Sequence, residues 1–459
     1  MLNEATIGEL KAQMRGELIQ RGDAQYEEER QLYNAMIDKR PLLIARCADV
    51  ADVIAAVRFG REQELLTAVR CGGHNGPGLG SCDDGLVIDL ALMNGVRVDL
   101  ATRTVRAEGG CTQGAVEHAG HAFGLAVPAG IVSTTGIGGL TLGGGHGYLA
   151  RRYGLTIDNL LEADVVLADG SVVTASASQN DDLFWALRGG GGNFGVVTSF
   201  LFQGHPVSTV YGGPIFWDLK DAATVMKWYR EFLPKTPVEL APFLHLGVVP
   251  SAAPFPKEIW GKRNVALIAC YTGPVENGEE AVRPIRQELP LPILDWMGPM
   301  PFPMLQSMFD PLFPKGLQWY WKGDFVRDLP DEAIDLHVQY ASKMPSDLSL
   351  MHLYPIDGAV HEVGSSETAW NCRDATWSMV IAGIDPDPAK AESLKTWGKS
   401  YWEALHPFNL GGAYINFMME EGEDRIRATY GGNYDRLAKI KKKYDPTNFF
   451  RVNQNIRPE

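Results

Sequence analysis

The sequence predicts an α+β fold, and three observations support this prediction. Short β-rich segments such as GLVIDL and ADVVLADGSVVTAS alternate with helical segments such as ADVADVIAAVRFGREQ, which is the pattern of mixed sheets and helices. The 459 residues are 45% hydrophobic and 21% charged, an ordinary composition for a soluble globular protein. No stretch approaches the ~18 consecutive apolar residues of a membrane-spanning helix. We therefore expect a globular chain with a sizeable core.

Three sections of the chain differ in their predicted secondary structure. Residues 1–206 contain the short strands and helices described above. Residues 207–410 contain longer strands, such as VALIACYTG, LSLMHLYPI and WSMVIAGI, beside amphipathic helices such as DEAIDLHVQYASKM. Residues 411–459 end in YDPTNFFRVNQNIRP. Chain length fits two large domains or about three domain-sized units, so the sequence predicts two domains followed by a C-terminal segment.

The most informative motif lies in residues 69–98, where a Gly-Gly-His turn leaves one predicted strand and a short loop leads into the next. Glycine accepts backbone dihedrals that other residues avoid, so a glycine-rich loop can press against a ligand and point amide donors at anionic oxygens. His74 lies in the middle of this loop. An isolated turn of this kind is most simply a surface loop, but the loop is rich in glycine: Gly72, Gly73, Gly76, Gly78 and Gly80.

Two further glycine clusters favour a ligand-binding function for these loops. Residues 128–147, PAGIVSTTGIGGLTLGGGHG, have no charged side chain and place serine and threonine among the glycines, as in loops that wrap a phosphate-bearing or flat ligand. Residues 188–195, RGGGGNFG, contain a formal G-x-G-x-x-G. A helical pattern precedes this motif and a strand pattern follows it, which is the reverse of the dinucleotide-binding order. An ordinary Rossmann site is therefore excluded.

Together with the closing YDPTNFFRVNQNIRP, these clusters resemble the berberine bridge enzyme-like branch of the vanillyl-alcohol oxidase flavoprotein superfamily. The likeness runs from about Pro41 to the C-terminus, with the motifs in family order and spacing. It implies a PCMH-type FAD-binding domain within residues 1–206. It also implies a substrate domain in residues 207–410, with an antiparallel sheet covered by helices, and a segment in residues 411–459 that returns to the FAD-binding domain.

The same resemblance implies how FAD is held. The family's histidine of the Gly-Gly-His turn, His74 here, is bonded to the 8α-methyl group of the flavin. Many members add a second link through a cysteine two residues after the glycine of PAG, but this position is Val132, so we expect a single link. The other flavin contacts that the resemblance implies are Arg70, Cys71, Gly72, Gly73, Asn75, Gly76, Val132, Ser133, Thr135, Gly136, Gly138, Gly139, Leu140, Gly143, Gly144, His146, Gly147, Gly192, Gly195, Val196, Asn416, Asn453 and Asn455.

One catalytic position departs from the family pattern. The family's Tyr-x-Asn-Tyr motif is YINF here, with Tyr414 kept and Phe417 in place of the second tyrosine. That tyrosine is a base in some members, and a phenyl ring cannot accept a proton. Thr135 and Leu140 fall where the family controls oxygen access to the flavin, and small or polar groups there favour O2 as the electron acceptor.

Two histidines are the remaining candidates for a base. His245 and His352 each lie mid-strand among apolar neighbours, and period-two alternation places His352 on one face with Leu350 and Tyr354. Taken alone, each is more simply explained as a core histidine bonded to a neighbouring carbonyl. The resemblance places both strands above the substrate cavity, and an imidazole pKa near ~6.5 suits proton transfer. Our hypothesis is that His352 or His245 is the general base, with Tyr414 as hydrogen-bonding partner.

Charge and cysteine content bear on partners and compartment. A net charge of −14, from 42 basic and 56 acidic residues, disfavours binding to nucleic acid and to anionic membranes. The six cysteines have no metal-ligand spacing, so no metal site is expected. Acidic residues occupy the N-terminus where a secretory signal would be apolar, which predicts a cytoplasmic protein. We expect a monomer or a weak homodimer.

These observations lead to one functional prediction and two alternatives. The prediction is an FAD-dependent oxidase that takes a hydride from a hydroxylated (alcohol or sugar-like) or amine small molecule and is reoxidised by O2 to give hydrogen peroxide. The first alternative is an oxidative tailoring enzyme that oxygenates or cyclises a polyketide-like metabolite through a flavin-N5-oxide. The second is a flavin-binding protein without turnover, which the missing second tyrosine permits.

Overall fold

A computed structural model of the protein describes residues 4–459, and their strands form four sheets. A four-stranded sheet and a five-stranded sheet come from the first part of the chain, an eight-stranded sheet comes from residues 209–385, and a two-stranded pair completes the set. Helices cover these sheets. The predicted α+β fold is confirmed, whereas the boundaries of the three sections stay a prediction.

The strands, in chain order, are β1 (Glu17–Gln20), β2 (Leu43–Arg46), β3 (Thr67–Arg70), β4 (Leu86–Asp89), β5 (Val96–Asp99), β6 (Thr104–Glu108), β7 (Leu125–Ala126), β8 (Leu160–Val166), β9 (Val172–Ser176), β10 (Val196–Gln203), β11 (His205–Pro206), β12 (Thr209–Asp218), β13 (Leu240–Val248), β14 (Arg263–Tyr271), β15 (Leu294–Asp295), β16 (Gly298–Pro301), β17 (Gln318–Val326), β18 (Leu350–Pro355) and β19 (Trp377–Asp385).

The α-helices are α1 (Glu4–Gln13), α2 (Tyr26–Glu29), α3 (Val50–Glu62), α4 (Gln113–His121), α5 (Ile137–Gly143), α6 (Ala150–Tyr153), α7 (Asp181–Leu187), α8 (Ala222–Phe232), α9 (Gly278–Gln287), α10 (Phe302–Gln306), α11 (Asp331–Ala341), α12 (Ala391–Leu405), α13 (Glu423–Tyr430) and α14 (Tyr434–Tyr444). Among residues 4–459, no helix combines the length and the apolar character that crossing a bilayer requires.

The four-stranded sheet has the order β1-β2-β4-β3, in which β4 pairs in parallel with both β2 and β3. The crossover helix α3 begins after Asp49, whose carboxylate accepts hydrogen bonds from the next helical N–H groups. Arg70 and Asp89 are register partners at the carboxyl ends of β3 and β4. The Gly-Gly-His loop follows β3 directly, so it leaves the sheet at the edge where ligands of parallel sheets bind.

The five-stranded sheet is antiparallel, with the order β5-β6-β10-β8-β9. Helix α7 precedes the third glycine cluster and strand β10 follows it, as the sequence predicted. The C-terminal helix α14 shares a hydrophobic core with this sheet, since Leu437 and Ala438 pack with Phe200 and Phe202. The C-terminal segment therefore docks on the part of the chain that carries the glycine loops.

The eight-stranded sheet is antiparallel, and its central strands run β14-β13-β18-β19-β17. One face is covered by helices: Met351 and Leu353 of β18 belong to a core that includes Met226 of α8, Ile334 of α11 and Tyr401 of α12. Side chains alternate across a strand, so Leu350, His352 and Tyr354 point to the opposite face. That face is turned toward the glycine loops.

Candidate active site

A cavity of about 340 Å³ lies between the glycine loops and the eight-stranded sheet. We call the glycine-rich segments 70–76, 130–147 (which includes helix α5) and 189–195 the glycine wall, and the side of β13, β17, β18 and β19 that faces them the strand roof. The C-terminal residues 414–417 and 450–454 close the cavity between them. Of the described residues that line it, Arg70 is the only lysine, arginine, aspartate or glutamate.

Most of the residues predicted from the sequence lie on this cavity. The structure brings together, in its lining, His74, Arg70, Cys71, Gly72, Gly73, Asn75, Val132, Thr135, Gly136, Gly138, Gly139, Leu140, His146, Gly192, Gly195, Tyr414, Asn416, Asn453 and His352. These residues come from three separate loops, one roof strand and the C-terminal segment. Their convergence explains why motifs that are far apart in the sequence belong to one site.

Other predicted contacts lie behind the lining. Gly143, Gly144 and Gly147 have no room for a side chain, because a Cβ would lie 2.4 Å from Asn416, 2.4 Å from Trp370 and 2.2 Å from the carbonyl oxygen of Ala129 respectively. Gly76 packs on the indole of Trp321, and the Ser133 N–H donates to Asp310 at 2.9 Å. Val196 is buried, and the Asn455 side chain donates a hydrogen bond to that of Asn448. These residues support the wall from behind and do not face the cavity.

His74 is held at two points in the glycine wall. Its ring stacks on Tyr33, with the centroids 3.8 Å apart and the planes inclined by 17°. Its Nε2 lies 3.1 Å from the Thr134 hydroxyl. Burial lowers the pKa of His74 to about 4, because the cavity lining disfavours the charged imidazolium. The ring is therefore neutral at physiological pH and keeps one nitrogen lone pair for bonding.

Arg70 brings a positive charge to the cavity lining. Its Nη2 donates to Asp89 Oδ2 at 2.5 Å, and both side chains are buried. Its Nη1 is buried without a hydrogen-bond partner. A buried guanidinium N–H without a partner costs free energy. This N–H is therefore suited to donate a hydrogen bond to an oxygen of a bound ligand.

The strand roof carries a line of polar groups. His352 Nδ1 lies 2.5 Å from the Tyr354 hydroxyl, and His352 Nε2 lies 2.8 Å from Nδ1 of His245 on the neighbouring strand β13. Burial lowers the pKa of His245 to about 4 and raises the pKa of the Tyr354 phenol. Burial and the neighbouring His245 hold the pKa of His352 well below its ordinary value. All three groups are neutral. His352 and Tyr354 line the main cavity, whereas His245 lines a smaller one beside it.

Tyr414 is bound to the glycine wall and not to the roof histidines. Its hydroxyl accepts from Asn416 Nδ2 at 2.7 Å and from the Gly145 N–H at 3.1 Å, and it donates to the Leu140 carbonyl at 3.5 Å. The predicted hydrogen bond between the base histidine and Tyr414 is therefore wrong, because this hydroxyl is already committed. Tyr354 is the partner of His352.

Some site residues were missed by sequence reasoning. Tyr354 carried a usable signal, since it lies two residues after His352 on the same face of a predicted strand. Tyr33 and Thr134 carried none, because their contacts with His74 depend on the path of the chain. His146 was predicted as a flavin contact, and both its ring nitrogens are buried without partners among the described residues.

Comparison with known proteins agrees with this arrangement. Residues 41–176 match a family of FAD-binding domains, and residues 413–457 match the family described as berberine and berberine like. An FAD-linked oxidoreductase of Dictyostelium discoideum is 32% identical, over 98% of this chain and 97% of that protein. The (R)-6-hydroxynicotine oxidase of Paenarthrobacter nicotinovorans is 28% identical, over 97% of each chain. The crystal structure of 6-hydroxy-D-nicotine oxidase from Arthrobacter nicotinovorans has a TM-score of 0.87 at 27% identity, over 97% of this chain and 98% of that one. The chain belongs to the berberine bridge enzyme-like family of FAD-linked oxidoreductases.

Proposed function

We propose that this enzyme is an oxidase that carries FAD on His74, takes a hydride from an uncharged hydroxylated small molecule, and uses O2 to form hydrogen peroxide. The observation that carries the proposal is the single cavity with two unlike sides. A glycine wall with two neutral histidines, His74 and His146, faces a roof that presents a histidine and a tyrosine hydroxyl. One side suits a flat cofactor, and the other suits a substrate that must lose a proton.

The residues of the glycine wall fit FAD. A Cβ added to Gly139 or Gly192 would meet nothing within 4 Å, so both glycines open onto space that a ligand can fill. The unpartnered Arg70 Nη1 suits an anionic pyrophosphate oxygen, since guanidinium groups bind phosphate well. No carboxylate other than that of Asp89 contacts Arg70. Arg70, Gly139 and Gly192 would hold the cofactor at these points.

Attachment through His74 is supported by its surroundings. The ring is fixed by Tyr33 and Thr134, and its neutral state leaves a lone pair for a bond to carbon. The chain has no thiol for a second covalent link at the usual position, because Val132 occupies the position of the family's second cysteine. Cys71 also lines the cavity, but its thiol lies 3.5 Å from the carbonyl oxygen of Cys111 and donates to it, and burial raises its pKa to about 11. We therefore propose one covalent link.

Bound FAD would accept a hydride from the substrate and pass the electrons to O2. The work of the chain is to orient the substrate and to take its proton. The roof presents aromatic and aliphatic groups, Trp319, Trp321, Leu350 and Val380, without a carboxylate. A protonated amine would have no ion-pair partner there, so this lining favours a hydroxylated aromatic substrate. Aromatic walls stack well on flat rings.

The test has two parts. The purified protein is first denatured with acid to learn whether the yellow colour stays with the polypeptide. It is then mixed without air with a panel of hydroxylated aromatics, sugars and amines while flavin absorbance is followed, and peroxide is measured after air is admitted. We expect bleaching by hydroxylated aromatics and one peroxide for each substrate oxidised. Two outcomes would contradict the proposal: a flavin that only dithionite reduces, which indicates a binding protein, or O2-derived oxygen in the product, which indicates an oxygenating enzyme.

A further inference from the structure

Three side chains form a continuous hydrogen-bonded line across the strand roof. His245 and His352 are direct register partners on β13 and β18, so their rings meet with 2.8 Å between His245 Nδ1 and His352 Nε2. The other nitrogen of His352 lies 2.5 Å from the Tyr354 hydroxyl. His352 uses one nitrogen toward each neighbour, which is the arrangement that lets a proton pass through a ring, and His245 uses Nδ1 toward His352.

The line can be polarised in either of two self-consistent directions. A neutral imidazole has one N–H donor and one lone pair. In one direction, Tyr354 donates to His352 Nδ1, His352 Nε2–H donates to His245 Nδ1, and His245 keeps its own hydrogen on Nε2. In the other direction, His245 Nδ1–H donates to His352 Nε2 and His352 Nδ1–H donates to the Tyr354 oxygen; the line reaches this state when the His245 Nε2 hydrogen leaves and Tyr354 takes one hydrogen from outside the line. Both directions satisfy all of these atoms, so a proton can cross without breaking the chain of contacts.

The two ends of the line open into two adjoining cavities, and His352 and Leu350 line both of them. Tyr354 faces the main cavity, where its ring lies 5.2 Å from His146 and 6.0 Å from Phe417. His245 lines a second cavity of about 50 Å³, whose other walls include Phe216, Phe255, Ser349 and the exposed Asp347. Asp347 is a carboxylate at the solvent side of this cavity. The line therefore connects the substrate space to an outlet with a proton acceptor.

A glycine makes room for the outlet end. A Cβ added to Gly247 would lie 2.2 Å from Nε2 of His245, so any side chain at that position would displace the ring. The imidazole thus takes its position because residue 247 has no side chain. Nδ1 of the same ring stays bonded to His352.

We propose that Tyr354, His352 and His245 form a proton relay, in which Tyr354 receives the proton of the substrate hydroxyl and His245 releases one into the second cavity. The inference rests on the proposed function. As the substrate O–H bond breaks, the Tyr354 oxygen takes that proton and gives its own to His352 Nδ1. The Nε2 proton of His352 passes to His245 Nδ1, and the Nε2 proton of His245 leaves toward Asp347. No electrons are gained or lost by these residues, since both leave with the substrate hydride.

The relay supplies what the motif at residues 414–417 has lost. Phe417 cannot accept a proton, and the Tyr414 hydroxyl is engaged with Asn416 and Gly145. Tyr354 is a hydroxyl on the cavity lining with a hydrogen-bonded base behind it. It therefore takes the place of the family's second tyrosine, with its ring 6.0 Å from that of Phe417.

The decisive variant is Tyr354→Phe, with Tyr401→Phe as its matched control. Tyr401 is also a buried tyrosine in hydrogen-bond contact with a histidine, with 2.7 Å between its hydroxyl and Nδ1 of His337, but it lies away from the cavity. The rate of flavin reduction should fall by about 10²–10⁴-fold in Tyr354→Phe, the usual contribution of a positioned acid or base. Flavin content should not change, and Tyr401→Phe should behave as wild type. A Tyr354→Phe protein with full flavin content and a reduction rate within about twofold of wild type overturns the relay.

Two readouts separate the relay from a merely structural role. In mixtures of H2O and D2O, the reduction rate of wild type should curve with the deuterium fraction because several protons move together, and His245→Leu should weaken this curvature because fewer protons then move. In substrate-free protein labelled with ¹⁵N-histidine, Tyr354→Phe should shift the ring nitrogen signals of both His352 and His245. Tyr401→Phe should shift neither. Unmoved His352 signals in Tyr354→Phe would refute the relay even if no substrate were known, whereas a wild-type flavin that no donor bleaches would refute the proposed function alone.

Discussion

The glycine wall and the strand roof face the same cavity but are built in opposite ways. In the wall, two loops touch through their backbones: a Cβ on Gly72 would lie 2.4 Å from the Gly136 nitrogen, and a Cβ on Gly136 would lie 2.3 Å from the Gly72 nitrogen. In the roof, side chains meet because strands pair, and His245 and His352 are 107 residues apart. The wall depends on the absence of side chains, and the roof depends on their presence.

This difference predicts different consequences of substitution. Changes in the wall should alter folding or cofactor binding, because the loops fit one another and the flavin by shape. Changes in the roof should alter turnover and leave the flavin in place, because strand pairing holds the backbone whatever the side chains are. The following predictions test this division, beginning with the largest expected effect.

Lys441→Met should have the largest effect on stability. The ammonium group is fully buried and donates to Asp445 at 2.7 Å, to the Asn193 carbonyl at 2.6 Å and to the Phe450 carbonyl at 2.8 Å. Its loss leaves a buried carboxylate without its cation, which costs about 3–5 kcal/mol. Chemical denaturation should show this loss together with weaker flavin binding, since Asn193 adjoins Gly192 of the wall.

Lys443→Met is the matched control for that change. Lys443 also bonds to an aspartate, Asp182, at 2.7 Å, but it lies on the surface. An exposed ion pair contributes at most about 1 kcal/mol, so this variant should unfold near the wild-type denaturant concentration. Equal losses of unfolding free energy in both variants would refute the claim that the buried Lys441–Asp445 ion pair holds the glycine wall in place.

Gly72→Ala should cost about 3 kcal/mol, because the new Cβ would overlap the backbone of Gly136 and one loop would have to move. Gly139→Ala is the comparison within the same wall, since a Cβ there meets nothing within 4 Å. We expect Gly139→Ala to fold with normal stability and to bind less flavin, because the methyl group enters the cofactor space. Thermal unfolding and flavin absorbance distinguish the two. Normal flavin binding by both variants would contradict the backbone-fit account of the wall.

Glu117→Gln should change how stability depends on pH. Glu117 lies on α4 behind the wall, and burial raises its pKa to about 8 from an ordinary value of 4.5. Between these values the folded protein holds a proton that the unfolded chain has released, so wild-type stability should fall as pH rises from about 5 to 8. The variant lacks this slope and should be the more stable by about 1–3 kcal/mol at pH 8. Parallel pH profiles of the unfolding free energy would show that Glu117 is not the cause.

Tyr33→Leu should have the smallest effect on stability, about 1 kcal/mol, from loss of the ring stacked on His74. The clearer consequence of this substitution concerns the covalent attachment of the flavin to His74. With the imidazole less firmly held, part of the flavin should stay unlinked and be released by acid. Tyr33→Phe keeps the ring and loses only the hydroxyl bond to the Phe313 carbonyl, so its flavin should remain attached. Complete attachment in both variants would remove Tyr33 from this role.

The same contrast explains what could be predicted from the sequence. His74 and Gly72 could be singled out because the wall is encoded locally, as runs of glycine within a few residues of each other, whereas Arg70 was implied by the family resemblance. His352 was found by period-two alternation, which is also local. The contact between His245 and His352 depends on the register of β13 with β18, and the stacking of Tyr33 on His74 depends on the path of the N-terminal segment. Neither leaves a pattern in nearby residues, so the relay could not be predicted.

The most direct test of the whole account is the mass of the peptide that contains His74, taken from acid-denatured and protease-digested protein. If the wall holds the cofactor as we propose, this peptide should carry the mass of one FAD less two hydrogen atoms, with fragmentation placing the addition on His74. His74→Ala should release all its flavin on denaturation. An unmodified His74 peptide from yellow wild-type protein, with all flavin recovered in the acid supernatant, would contradict the account.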